Sequence, residues 1–140
     1  MENEEVLIQA PALPAYISMI RHVVAGVARR MSFTSEQIGD LKLAVGEACN
    51  NAVRHGCDTN THPVRIRCRI QPSYLQIEVR NRYCGVPPDG AIGAAPLPQN
   101  FSEGGMGIYL MKTLVDRVDF RWGKSTATVR LTKNLGQARS

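Results

Sequence analysis

The stretch Ile38-Gly39-Asp40-Leu41-Lys42-Leu43-Ala44-Val45-Gly46-Glu47-Ala48-Cys49-Asn50-Asn51-Ala52-Val53-Arg54-His55-Gly56 decides the fold. Leu41, Val45, Ala48 and Ala52 recur every three or four residues, the period of one helix face. A helix is expected from about Ser35 to Arg54. Thr34 or Ser35 would cap it, with Glu or Gln placed for a capping box, and Gly56 would stop it. Glu47, Asn50, Asn51 and Arg54 lie off the apolar stripe. Glu47 and Asn51 stand four residues apart, so both project from one face. An acid and an amide so placed suit a hard cation held through oxygen, with the acid nearby as a base. Taken alone, a solvated polar face is the plainer account, although Asn is not a favoured residue of helix interiors.

On the N-terminal side, Val6 to Gln9 reads as a short edge strand. Pro11 and Pro14 then lead into a helix over Tyr16 to Met31, with Ile17, Ile20, Val23, Val24, Val27 and Met31 as its apolar stripe. Ile20, Arg21, Val24 and Arg29 are candidate partner contacts, although the core needs the same apolar stripe and is the favoured place for Ile20 and Val24. On the C-terminal side, Val64 to Ile70 and Tyr74 to Val79 form two strands around Gln71-Pro72-Ser73. Ile108 to Val115 is a helix, and Val118 to Trp122 with Thr126 to Thr132 closes the chain as a hairpin. The expected order is β, α, α, β, β, long loop, α, β, β. That order gives an α+β two-layer sandwich, a mostly antiparallel mixed sheet with helices on one face. It excludes the parallel alternation of a doubly wound fold.

At 140 residues, 44% hydrophobic and 21% charged, the chain is expected to be one domain over 1–140, with an ordered core from about 5 to 133. No apolar run is long enough to span a membrane, and the acidic start Met1-Glu2-Asn3-Glu4-Glu5 is no secretory signal. Cys49, Cys57, Cys68 and Cys84 include no C-x-x-C pair, so free thiols in a reducing cytosol are expected, and no zinc site. The net charge of +5 is dispersed. Its densest run, Arg65-Ile66-Arg67-Cys68-Arg69, alternates as a half-exposed strand does. That run reads as a solvated sheet face or as a surface for a polyanion or acidic partner. No helix-turn-helix or aromatic-basic pattern supports direct DNA binding.

Two further segments could carry chemistry. Ser102-Glu103-Gly104-Gly105-Met106-Gly107-Ile108 opens a helix with glycines, which lets backbone N–H groups approach a phosphate. It is neither a Walker A loop nor a dinucleotide fingerprint. Glu78-Val79-Arg80-Asn81-Arg82-Tyr83-Cys84-Gly85 ends a strand at a polar residue, where an amide could bond a base. Between them, residues 82–107 hold four prolines and six glycines without periodicity, the mark of a functional or mobile loop.

In order and spacing these three segments resemble the N, G1 and G2 boxes of the GHKL ATPase superfamily. The resemblance is strongest to its anti-sigma factor serine kinases and covers roughly residues 5 to 133. It implies that Glu47 is the base toward a serine hydroxyl and that Asn51 coordinates Mg2+. It implies that Asn81 and Gly85 meet the adenine of ATP, and that Gly104, Gly105, Met106, Gly107 and Ile108 hold the phosphates. It implies a lid over Val86 to Glu103. The implied partners are an anti-sigma factor antagonist protein, which is the substrate, and a sigma factor, with the chain as a homodimer in the cytoplasm. The chain departs from the pattern at Asn81, where the family usually has Asp, and Arg82-Tyr83-Cys84 precede Gly85 where a glycine usually follows sooner. An amide oxygen accepts a weaker bond than a carboxylate, so a weakened adenine preference is expected. A nucleotide-binding, partner-switching module with weak or no kinase activity is the alternative.

Overall fold

The computed structural model describes residues 4–55, 63–82, 93–95 and 105–136. Chain order is β1 (Glu4–Ala10), α1 (Pro14–Arg29), α2 (Ser35–His55), β2 (Val64–Ile70), β3 (Tyr74–Arg82), β4 (Gly93–Ala95), α3 (Gly105–Leu114), β5 (Arg117–Trp122) and β6 (Thr126–Asn134). The strands form one six-stranded sheet in the order β1-β2-β3-β6-β5-β4. Every pairing among the described residues is antiparallel, in keeping with the expected mostly antiparallel sheet. Gly93–Ala95 is a strand inside the segment read as structureless, paired with Phe120 to Trp122 of β5. Three residues rich in Gly and Ala carry no period-2 signal. The rest of the expected lid lies outside the described residues.

The helices cover one face of the sheet. Alternation puts Val64, Ile66, Cys68 and Ile70 of β2, Leu75, Ile77 and Val79 of β3, and Ala127, Val129 and Leu131 of β6 on that face, all buried. Against them pack Ile17, Ile20, Val24 and Val27 of α1, Leu41, Val45, Ala48 and Ala52 of α2, and Ile108 and Met111 of α3. The α2 stripe is thus the one the spacing predicts. On α1, Val23 departs from expectation at 40% exposure, and it continues an outward row with Tyr16 and Met19, the latter 60% exposed. The apolar arc of α1 is wider than the sheet can cover.

A reciprocal cap starts α2. The Thr34 hydroxyl accepts from the Gln37 N–H at 3.1 Å, and the Gln37 side-chain oxygen accepts from the Thr34 N–H at 2.9 Å. The cap fixes the register of α2 and so which face carries Glu47. Among the described residues no helix is long and apolar enough to cross a membrane.

Cys49 and Cys68 are free and fully buried, and burial pushes both thiols from the usual 9.0 up to about 12. Below pH 9 both folded and unfolded chains keep these protons, and stability is undiminished. As pH rises from about 9 toward 12 only the unfolded chain releases them. Stability then falls by up to about 1.4 kcal/mol per pH unit for each thiol. Urea midpoints at pH 8 and pH 10 are expected to show this loss, and a Cys49→Ala/Cys68→Ala variant to show a flatter pH dependence.

Candidate functional site

Glu47 lies midway along α2, two residues before the buried Cys49, and is half-buried. Its carboxylate faces the first turn of α3. A Cβ built on Gly107 would stand 3.1 Å from Glu47 Oε2, and 3.9 Å from its Cβ and Cδ. Only a glycine leaves the carboxylate undisturbed at this approach. One α2 turn further, Asn51 is also half-buried. Ala52, the next residue, turns its carbonyl to the sheet, where Asn81 Nδ2 donates to it at 3.4 Å. Two segments widely separated in sequence therefore meet α2: the glycine-rich start of α3 at Glu47 and the end of β3 at the Ala52 carbonyl.

The first turn of α3 contains no acidic residue. Its first N–H groups have no partner within the helix, and its dipole end favours an anion. Gly105, Met106, Gly107 and Ile108 form this turn. Ile108 is 4% exposed and packs into the core, so its side chain anchors α3 and only its backbone remains for a ligand. Gly104 and Gly85 lie outside the described residues.

Asn81 sits within β3, which runs three residues beyond the expected end at Val79, opposite Ala127 of β6. Its amide nitrogen donates to the carbonyls of Ala52 and, at 3.0 Å, Arg82. These acceptors fix the amide orientation and turn Oδ1 away from them. A carboxylate here would lose both bonds and set an oxygen against two carbonyl oxygens. Asn81→Asp is expected to cost about 1–3 kcal/mol of stability, read as a melting temperature lower by several degrees.

Among the described residues no group of three His, Cys, Asp or Glu side chains is placed to hold a metal. Magnesium asks for less, since it keeps waters and takes phosphate oxygens alongside one or two protein oxygens. Asn51, half-buried and one turn from Glu47, offers an amide oxygen of the kind that demand requires.

On α1, Ile20 and Val24 are core residues as expected, and Arg29 is exposed. Arg21 lies across α2 instead, its Cδ 3.2 Å from where a Gly46 Cβ would be, with Nε buried and without a hydrogen-bond partner among the described residues. The exposed row of Tyr16, Met19 and Val23 was not legible as a surface, because its spacing is also that of a core stripe.

Comparison with known proteins agrees with this fold. The histidine kinase-like ATPase domain family matches residues 10–133. Serine-protein kinase RsbW of Bacillus pumilus is 38% identical over 138 residues, covering 92% of this chain and 85% of that protein. Serine-protein kinase RsbW of Bacillus subtilis is 37% identical, covering 94% and 86%. The crystal structure of the RsbU and RsbW domains of Rv1364c from Mycobacterium tuberculosis shares the fold, with a TM-score of 0.69 at 17% identity. That match covers 97% of this chain and 34% of the other. The blue-light activated histidine kinase of Erythrobacter litoralis shares it at a TM-score of 0.57 and 19% identity, over 86% and 60% of the two chains. With a family match over most of its length and relatives this similar over most of both chains, the chain belongs to the histidine kinase-like ATPase domain family and, within it, to the family of the serine-protein kinases RsbW.

Proposed function

We propose that the chain is an anti-sigma factor and an ATP-dependent kinase that phosphorylates a serine of its antagonist protein. The observation that carries this is the Glu47 carboxylate lying against Gly107 at the start of α3. One side chain able to take a proton thereby stands beside a helix end able to hold phosphate.

In the transfer, the serine hydroxyl gives its proton to Glu47 as its oxygen bonds to the γ-phosphorus. The bond from that phosphorus to the β–γ bridging oxygen breaks, and ADP leaves with the electron pair. The protein's part is placement and charge. Backbone N–H groups of Gly105, Met106, Gly107 and Ile108 offset the phosphate charge, and Asn81 Oδ1 accepts from the adenine amino group. Mg2+ on Asn51 would neutralise phosphate oxygens when bound.

The sigma factor and the antagonist are the proposed protein partners. The exposed row Tyr16, Met19 and Val23 on α1 supports a protein contact on that helix. A homodimer, a cytoplasmic location and a single domain over the whole chain complete the proposal.

The test is transfer of the γ-label of ATP to the cognate antagonist, with calorimetry of nucleotide binding on the same sample. Transfer is expected, and Asn51→Ala is expected to weaken binding with magnesium more than without it. Tight ATP binding with no transfer would overturn the kinase assignment in favour of a nucleotide-gated binding module.

A further inference from the structure

The sheet face opposite the helices carries an ordered distribution of charge. In one row across it, Arg67, Glu78, Arg130 and Asp119 stand on neighbouring strands with alternating signs. Arg130 Nη2 lies 2.9 Å from Glu78 Oε2, and Arg67 Nη1 lies 3.9 Å from Glu78 Oε1. In the next row toward one end, Arg69 is held by Glu5 at 3.1 Å. Arg117 meets Asp119 at 3.0 Å.

Toward the other end the compensation stops. Arg65 and Arg80 are direct cross-strand partners, and Arg82 follows Arg80 on the same face. Arg121 stands opposite Thr128, itself the partner of Arg80. All four are exposed, and among the described residues none meets a carboxylate within 4.0 Å. Like charges directly opposite one another are destabilising in a sheet. A cavity of about 250 Å³ opens here, lined by Arg65, Arg80 and Arg82 with Pro63, Asn81, Ser125 and Thr126, and among the described residues no acid lines it.

We propose that this arginine end of the outer sheet face docks a carboxylate-rich segment of a partner protein. Guanidinium forks pair with carboxylates two bonds at a time, and the cavity would seat an acidic side chain at the centre. A second copy stacked face to face would bring arginine onto arginine. Single-stranded nucleic acid binds sheet faces by stacking bases on aromatic side chains, and among the described residues none lines this cavity. The arginines lie on the face opposite Glu47 and Gly107, while Asn81, the proposed adenine contact, lines the cavity from within the sheet, so docking is read without nucleotide and does not depend on phosphate transfer.

The probe is a fluorescein-labelled decaglutamate, titrated into the full chain without nucleotide at low salt and read by anisotropy. Saturable binding is expected, weakened at least about tenfold by Arg65→Glu/Arg80→Glu and less by Arg65→Gln/Arg80→Gln. Arg117→Gln is expected to change it less than about twofold. Circular dichroism of each variant confirms folding. The proposal is overturned if decaglutamate fails to bind or the double variants leave its affinity unchanged. It is equally overturned if a labelled ten-nucleotide oligothymidylate binds more tightly, or if the double variants abolish a dimer seen by sedimentation. Each of these results is obtained without ATP and is read separately from the transfer assay.

Discussion

Glu47→Gln is expected to lower phosphate transfer by about 10²–10⁴-fold, the range for loss of a positioned general base. Gln keeps the shape of Glu and can sit against Gly107 as the carboxylate does, so packing and nucleotide affinity should be nearly unchanged. It cannot take the serine proton. Single-turnover transfer, set beside calorimetry of ATP binding, separates the two effects. A variant that binds ATP and transfers at the wild-type rate would remove Glu47 from the reaction.

Gly107 carries the second large effect, and here stability and activity should move in opposite directions. A methyl group at this position meets Glu47 Oε2 at 3.1 Å, so the carboxylate must shift by a few tenths of an ångström. The side chain is flexible and its far end can give way, so the fold tolerates the change. Ala is also the better helix former, by up to about 1 kcal/mol in a helix interior. Gly107→Ala is therefore expected to hold or raise the melting temperature. The reacting geometry has no such freedom, since a displacement near 1 Å costs about 10²-fold. A loss of about tenfold in turnover is expected for Gly107→Ala, and more for Gly107→Val, whose branched side chain reaches further. An active, stable Gly107→Val would mean that the carboxylate works elsewhere or not at all.

The parts of this architecture that were readable in the chain are those written as a period. The α2 stripe of Leu41, Val45, Ala48 and Ala52, the Thr34–Gln37 cap and the alternation of Val64 to Ile70 each follow from local geometry, and each is in place. The off-stripe position of Glu47 and Asn51 followed from the same arithmetic. What spacing could not supply was how the elements meet. Nothing local ties Gly107 to Glu47, sixty residues away, or Asn81 to the Ala52 carbonyl. Those contacts come from the way α2 and α3 pack together on one sheet. Val23 was misplaced because an apolar residue on the flank of a stripe looks the same whether or not a neighbour covers it. Residues 93–95 were missed because three small residues carry no alternation, and their pairing with β5 is a tertiary fact.

The outer-face arginines show the same division. Alternation from Arg65 to Arg69 marked an exposed strand side, but it could not say which guanidiniums would find acids. Register decides that: Glu5 falls opposite Arg69 and Glu78 opposite Arg67, while Arg65 falls opposite Arg80.

The account rests on one nucleotide site between the acid of α2 and the first turn of α3, and the structure of the chain with magnesium and a non-hydrolysable ATP analogue tests it most directly. The terminal phosphate is predicted to lie between the Glu47 carboxylate and the backbone N–H groups of Gly105 to Gly107, with the metal on Asn51 Oδ1 and the adenine against Asn81. A nucleotide seated on another face, or bound here with Glu47 turned away from the terminal phosphate, would contradict it.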